Sequence, residues 1–155
     1  MPRIAAFMAC AIAIALTVAC SIDPSDERPG LGLSGEVVQQ AIEDWSFTSD
    51  AKEIFIETTT SYWIPHSVTA WCVTIGDELY VAADDADKKS WVANVARDPD
   101  VRLKIGDKVY EQKLVPTTDA VTQASIDSGF ARKYEYEEET DDEMIVGYWK
   151  VVERD

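Results

Sequence analysis

Lys88 and Lys89 stand side by side where the acidic loop Asp84-Asp85-Ala86-Asp87 gives way to an apolar-periodic run. Lysines in the first turn of a helix add positive charge to free backbone N–H groups, which already attract anions. Such a pair suits a phosphate, with Arg97 at the end of the same run as a third cation. A blander reading stands beside it. The two lysines could simply neutralise Asp84, Asp85 and Asp87, as surface ion pairs do at little energetic gain. The spacing by itself is not a phosphate motif. His66 is the one histidine of the chain. It is either a proton donor near neutral pH or a structural contact at a strand start. Trp63, Trp71 and Trp91 are of the type that lines a flat ring pocket, although core packing is the stronger reading for Trp71 and Trp91 and leaves Trp63 as the binding-surface aromatic. Ser61 and Ser67 have no convincing His/Asp partners for a hydrolytic triad. One histidine, with no second cysteine near it, leaves no metal-ligand spacing.

These side chains need a frame, and the hydrophobic pattern suggests one. Glu36 to Asp44 is compatible with a short helix. Residues 53–60 alternate as a strand, 67–75 read as a second, and Gly76-Asp77 joins it to a third over 78–83. Asp87 is a candidate N-cap for a helix over 88–97, which Asp98-Pro99 ends. Strands follow over 101–105 and 108–115, joined by Gly106-Asp107. A helix-permissive stretch runs over 118–134, and 144–152 closes the chain as a strand. Tyr134 to Glu143 carries seven carboxylates and reads as a solvated loop rather than a calcium loop. About six strands, two tight hairpins and two to three helices predict a mainly β (α+β) fold. The expected architecture is a mostly antiparallel, six-stranded barrel or sandwich. Regular βαβ alternation is absent, which excludes a doubly wound sheet.

The chain has 155 residues, 46% of them hydrophobic, and a formal net charge of -15. The acidic balance excludes a general nucleic-acid binder and a polybasic membrane-surface protein. The distribution says more. Residues 20–87 hold fourteen acids against two bases, and residues 114–155 hold eleven against four. Between them, residues 88–113 hold seven bases against four acids. A positive island therefore begins at Lys88.

Arg3 followed by the charge-free apolar run Ile4 to Ala19 predicts a signal peptide over residues 1–19. The run is too short to span a membrane comfortably. Leu16-Thr17-Val18-Ala19-Cys20 resembles a bacterial lipobox, so Cys20 is the expected lipidation site and the lipid bilayer an expected partner. Ser21 after it implies the periplasmic side of the outer membrane if the cell is Gram-negative. Cys10 would leave with the signal, and Cys72 would remain as a buried, inert thiol. Residues 20–35, rich in glycine and proline, predict a flexible tether ahead of a domain over residues 36–155.

The domain resembles a known family. Pro65-His66-Ser67-Val68, then Trp71, then Gly76-Asp77-Glu78-Leu79-Tyr80-Val81-Ala82 is similar to the first hairpin of the pyridoxamine-5'-phosphate-oxidase-like split β-barrels. Lys88-Lys89-Ser90-Trp91, Asn94 and Asp98-Pro99-Asp100-Val101-Arg102-Leu103 continue the likeness in order. Arg102 to Tyr110 also resembles the deazaflavin-dependent, nitroreductase-like branch. The resemblance spans about residues 50–117. It implies a split β-barrel, usually a homodimer, with FMN or a deazaflavin between subunits. Lys88 or Lys89 matches the family's phosphate-holding lysine, and the pair together with Arg97 would hold the phosphate. His66, Ser67 and Val68 match positions along the ring, with Trp63 and Trp71 flanking it. Between Glu53 and Ala83 there is no basic residue except His66, so the arginine usual in that hairpin is missing. Two functions follow as expectations. One is an envelope-anchored flavin- or deazaflavin-binding protein with oxidoreductase chemistry. The other is a cofactor-free binding or structural lipoprotein on the same barrel.

Overall fold

The structure, a computed structural model, describes residues 21–26, 28–135 and 146–155. The expected signal peptide, Cys20 and most of the acidic stretch after Tyr134 lie outside the described residues. The strands are β1 (Glu36–Val38), β2 (Glu53–Thr59), β3 (Pro65–Ile75), β4 (Glu78–Ala83), β5 (Asp100–Ile105), β6 (Lys108–Pro116) and β7 (Gly147–Glu153). The helices are α1 (Ser90–Arg97) and α2 (Ala120–Tyr134).

The sheet runs β1-β6-β5-β2-β3-β4-β7, and β7 returns to pair with β6. Every pairing from β6 round to β7 is antiparallel. Six strands thus close into the expected barrel, and β1 lies outside it, parallel to β6. Closure follows from alternation. Ile54 and Ile56 of β2, Leu79 and Val81 of β4, Val101 and Leu103 of β5, and Leu114 of β6 are all buried. Each such side chain contributes about 1.5–3 kcal/mol when removed from water. Gly76 (φ 67°) and Gly106 (φ 63°) take the left-handed conformation that both two-residue hairpins require.

Some expectations need correction. No helix forms over residues 36–44: Glu36–Val38 is strand β1, followed by a loop and a 3-10 turn at Ser46–Thr48. Val37 and Val38 are β-branched, and the open edge of β6 offers them a ladder; the Glu36 N–H bonds the Asp107 carbonyl at 3.1 Å. Nor is the stretch after Cys20 a loose tether. Its described residues are laid across the outside of β5, β2 and β3, held by bonds described below. The helix expected from Lys88 begins at Ser90, because Ala86–Lys88 forms a 3-10 turn first. Its N-cap is Lys89, with no side-chain cap bond, rather than Asp87.

α1 packs against β2 and β3 through buried Trp91 and Val95. α2 packs against the outer face of β3, where Ile126 and Phe130 cover Val73 and Tyr80. Asp119 caps α2, its carboxylate accepting from the Thr122 N–H at 2.8 Å.

Candidate functional site

β3 is longer than its neighbour β4, whose ladder with it runs only from Cys72↔Val81 to Ile75↔Glu78. The first half of β3 therefore has an edge that β4 does not cover. The 3-10 turn at Ala86–Lys88 and the start of α1 lie opposite this gap. Between them sits a cavity of about 290 Å³. His66, Val68 and Thr69 of β3 form one wall; Lys88, Lys89, Ser90 and Trp91 form the other. Asp26, Arg28 and Pro29, from the segment before the domain, close the third side.

Five residues singled out by sequence thus meet in one place: His66, Val68, Lys88, Lys89 and Trp91. A buried relay fixes the two walls. The Asn94 side-chain amide on α1 donates to the Thr58 hydroxyl at 3.0 Å, and that hydroxyl donates to the His66 carbonyl at 3.2 Å. His66 Nδ1 is buried and has no hydrogen-bond partner among the described residues. Lys88 Nζ is 2.8 Å from Asp85 Oδ1. This bond comes first in raising the Lys88 ammonium and lowering the Asp85 carboxyl from their ordinary values. The neutralising reading of Lys88 is thereby realised in part, while Lys89 shows no ion pair among the described residues.

Four other candidates lie elsewhere. Ser67 points to the opposite face of β3, where its Oγ is buried beneath Gly30. Trp63 stands in the β2–β3 turn, 86% exposed, with a positive φ of 62°. Trp71 lies outside the barrel, stacked on Tyr134 with ring centroids 4.7 Å apart and planes at 11°. Arg97 is at the far end of α1 and donates to the Thr59 carbonyl. Strand alternation explains Ser67 and Trp71, since odd-numbered residues of β3 here face outward. Eight residues of helix separate Arg97 from Lys89, about 12 Å of rise.

Asp26, Arg28 and Pro29 are site residues that sequence reading did not find. The one available signal was apolar: Leu33, among polar neighbours, is buried. A wider but open groove of about 720 Å³ runs along α2, lined by Ile75, Val121, Ala124 and Arg132 among others, with no comparable convergence of charge. Among the described residues no group of His, Cys, Asp and Glu could hold a metal ion. No described helix is long and apolar enough to cross a membrane.

The 290 Å³ cavity is at the lower limit of volumes that hold a cofactor-sized molecule. Its chemistry fits the phosphate end of a flavin nucleotide: cations on two sides, an uncapped helix start, and an unpartnered imidazole nitrogen. As enclosed, it does not take the whole of such a molecule.

Solved structures with a similar fold include a protein from Listeria innocua provisionally described as a pyridoxamine 5'-phosphate oxidase. It is 14% identical, with a TM-score of 0.51 over 65% of this chain and 82% of that one. A protein from Bacteroides thetaiotaomicron VPI-5482, provisionally described as a 5-nitroimidazole antibiotic resistance protein, is 17% identical. Its TM-score is 0.56 over 83% of this chain and 89% of that one. A third, described as a domain-swapped dimer, is 19% identical over 66% of this chain and 81% of that one, with a TM-score of 0.50. Identities this low speak for the split-barrel fold alone. No curated protein matches the sequence. A family model does, over residues 47–149: the chain belongs to DUF2255, a family of uncharacterised proteins conserved in bacteria.

Proposed function

We propose that this protein is an envelope-anchored split barrel that binds FMN or a deazaflavin, phosphate end first, in the cavity between β3 and α1. The observation that carries the reading is the meeting of His66, Val68, Lys88 and Lys89 around one cavity. Lys88 and Lys89 would hold the phosphate, with the Ser90 and Trp91 end of α1 beneath it. Val68 and His66 would lie toward the ring. The ring and the rest of the molecule would then emerge from the cavity and be covered by a second subunit. One similar fold is provisionally described as a pyridoxamine 5'-phosphate oxidase, another as a 5-nitroimidazole antibiotic resistance protein and a third as a domain-swapped dimer, which agrees with that reading. When bound, the cofactor would supply the redox chemistry; the chain would supply position, exclusion of water and charge. The lipid anchor at Cys20 is part of the same proposal and rests on the lipobox-like Leu16 to Cys20.

A visible spectrum of the purified protein, with and without added FMN or deazaflavin, tests it. Bound cofactor is expected, and reversing Lys88 and Lys89 to Glu should abolish it. A colourless protein whose tryptophan fluorescence ignores both compounds would refute it. That outcome would favour the second reading, a cofactor-free binding or structural lipoprotein. One observation favours that alternative: Lys88 already has Asp85 as its partner.

A further inference from the structure

The segment before β1 is a folded loop with its tip in the cavity. Ser25 and Arg28 exchange backbone bonds of 3.2 and 3.0 Å around Asp26, whose φ is 53°. That tight turn places Asp26, Arg28 and Pro29 against the cavity. Behind the tip, Gly30 and Ser67 exchange two backbone bonds, 2.8 and 3.1 Å, along the edge of β3 that β4 leaves open. Farther back, Asp23 pairs with Lys104 at 2.5 Å and accepts from the Ser34 N–H at 2.8 Å. The Leu33 N–H donates to Glu57 Oε2 at 2.6 Å. The loop is therefore fastened at both ends of its return arm.

We propose that this loop completes an anion site: Arg28 joins Lys88 and Lys89 in holding a phosphate group, and ligand binding is coupled to docking of the loop on β3. The proposal rests on the phosphate site described above but not on the rest of the ligand being a flavin.

Charge argues for it. β2, β3 and β4 bring no basic residue to this cavity except His66, and the loop brings a guanidinium. Among the described lining residues Arg28, Lys88 and Lys89 stand against one carboxylate, Asp26, and Asp85 beside the lining pairs with Lys88, which leaves Arg28 and Lys89 against Asp26. Like charges gathered around a cavity repel unless an anion lies between them. The buried, unpartnered His66 Nδ1 is a separate sign that a polar group belongs there. Gly30 supplies the mechanical link. A Cβ on it would stand 2.1 Å from the Ile22 carbonyl oxygen and 2.6 Å from Ser67 Oγ. A third contact, 2.7 Å to the Pro24 nitrogen, also lies within the loop, so any larger residue must distort the loop that carries Arg28.

Hydrogen exchange of the Gly30 and Ser67 amides, read alongside calorimetric titration of the full chain in mild detergent, tests the coupling. The probes are inorganic phosphate and FMN. Phosphate at ten times its Kd should slow both amides about tenfold, as linkage requires. Arg28→Glu, at an exposed side chain, should weaken phosphate binding about tenfold or more. Gly30→Val should weaken it as well and release both amides. Slowing of exchange by phosphate with no FMN binding supports this proposal and sinks the flavin reading. FMN binding that leaves both amides unchanged does the reverse. Unaltered phosphate affinity in Arg28→Glu, or no binding of either probe, overturns the proposal even if Gly30→Val fails to fold.

Discussion

Asn94 and Thr58 join α1 to β2 through a buried 3.0 Å bond from the Asn94 amide to the Thr58 hydroxyl. The same hydroxyl continues to the His66 carbonyl, so one small side chain sets the separation of the two cavity walls. Thr58→Val keeps the shape and removes both bonds, leaving a buried amide without its acceptor. A loss of about 1–3 kcal/mol is expected. A double-mutant cycle with Asn94→Ala, followed by urea unfolding, should show coupling above about 0.5 kcal/mol. Additive effects would mean that the two residues do not act as one unit.

Tyr80 makes stability depend on alkaline pH. Burial first, then the bond to Glu78 and its charge, push the phenol from 10.0 up to about 12. Its hydroxyl donates to Glu78 Oε2 at 2.6 Å. Glu78 stays ionised because Lys150 bonds its carboxylate and lowers its pKa. A raised phenol pKa means that the folded state keeps its proton after the unfolded chain has lost one. Stability is therefore complete below pH 10 and falls as pH rises to about 12, by about 3 kcal/mol from this group. Urea unfolding at several pH values should show a steeper decline in wild type than in Tyr80→Phe. Parallel declines in the two proteins would rule this out.

Cys72 should be inert in the native state. Burial raises its thiol above the ordinary range, and the ammonium of Lys133, 3.7 Å from Sγ, offsets this only in part. Alkylation by iodoacetamide at pH 8, mapped to the peptide that contains Cys72, should be about a hundredfold or more slower than in urea. Comparable rates would show that the thiol is accessible.

Much of the barrel was legible because strands with one buried face announce themselves by alternation. Residues 53–59 and 100–105 carry that signal, and Gly-Asp marks both turns. Val37 and Val38 were misread because three residues are too few to show a period of 2 or 3.6, and the ladder they join lies seventy residues away on β6. The site was legible along the chain but not across it. His66 and Lys88 could be named singly, but which face of β3 turns inward depends on its register with β2, where Thr58 pairs with His66 and Glu57 with Ser67. Arg28 was hidden for a similar reason. Proline and glycine in Pro29-Gly30 signal looseness in isolation, whereas here they let the chain lie flat against Ser67.

The stack of Trp71 on Tyr134 anchors the last turn of α2 to β3. The Tyr134 hydroxyl shares its one proton between the Lys52 carbonyl at 2.5 Å and the Cys72 carbonyl at 2.9 Å, and accepts from the Cys72 N–H at 3.1 Å. Tyr134→Leu should cost about 1–3 kcal/mol and leave Trp71 more open to acrylamide quenching. If the cofactor lies where we propose, FMN affinity should not change in this variant. A large loss of affinity would move the ring site to this side of β3.

The docked loop alters what an anchor at Cys20 would mean. Fifteen unstructured residues, Ser21 to Gly35, would let the barrel roam about 20 Å from its point of attachment. Fastened through Asp23, Gly30 and Leu33, the same residues leave almost no slack. A lipid on Cys20 would then hold one side of the barrel against the bilayer, with the cavity tip close to the headgroups.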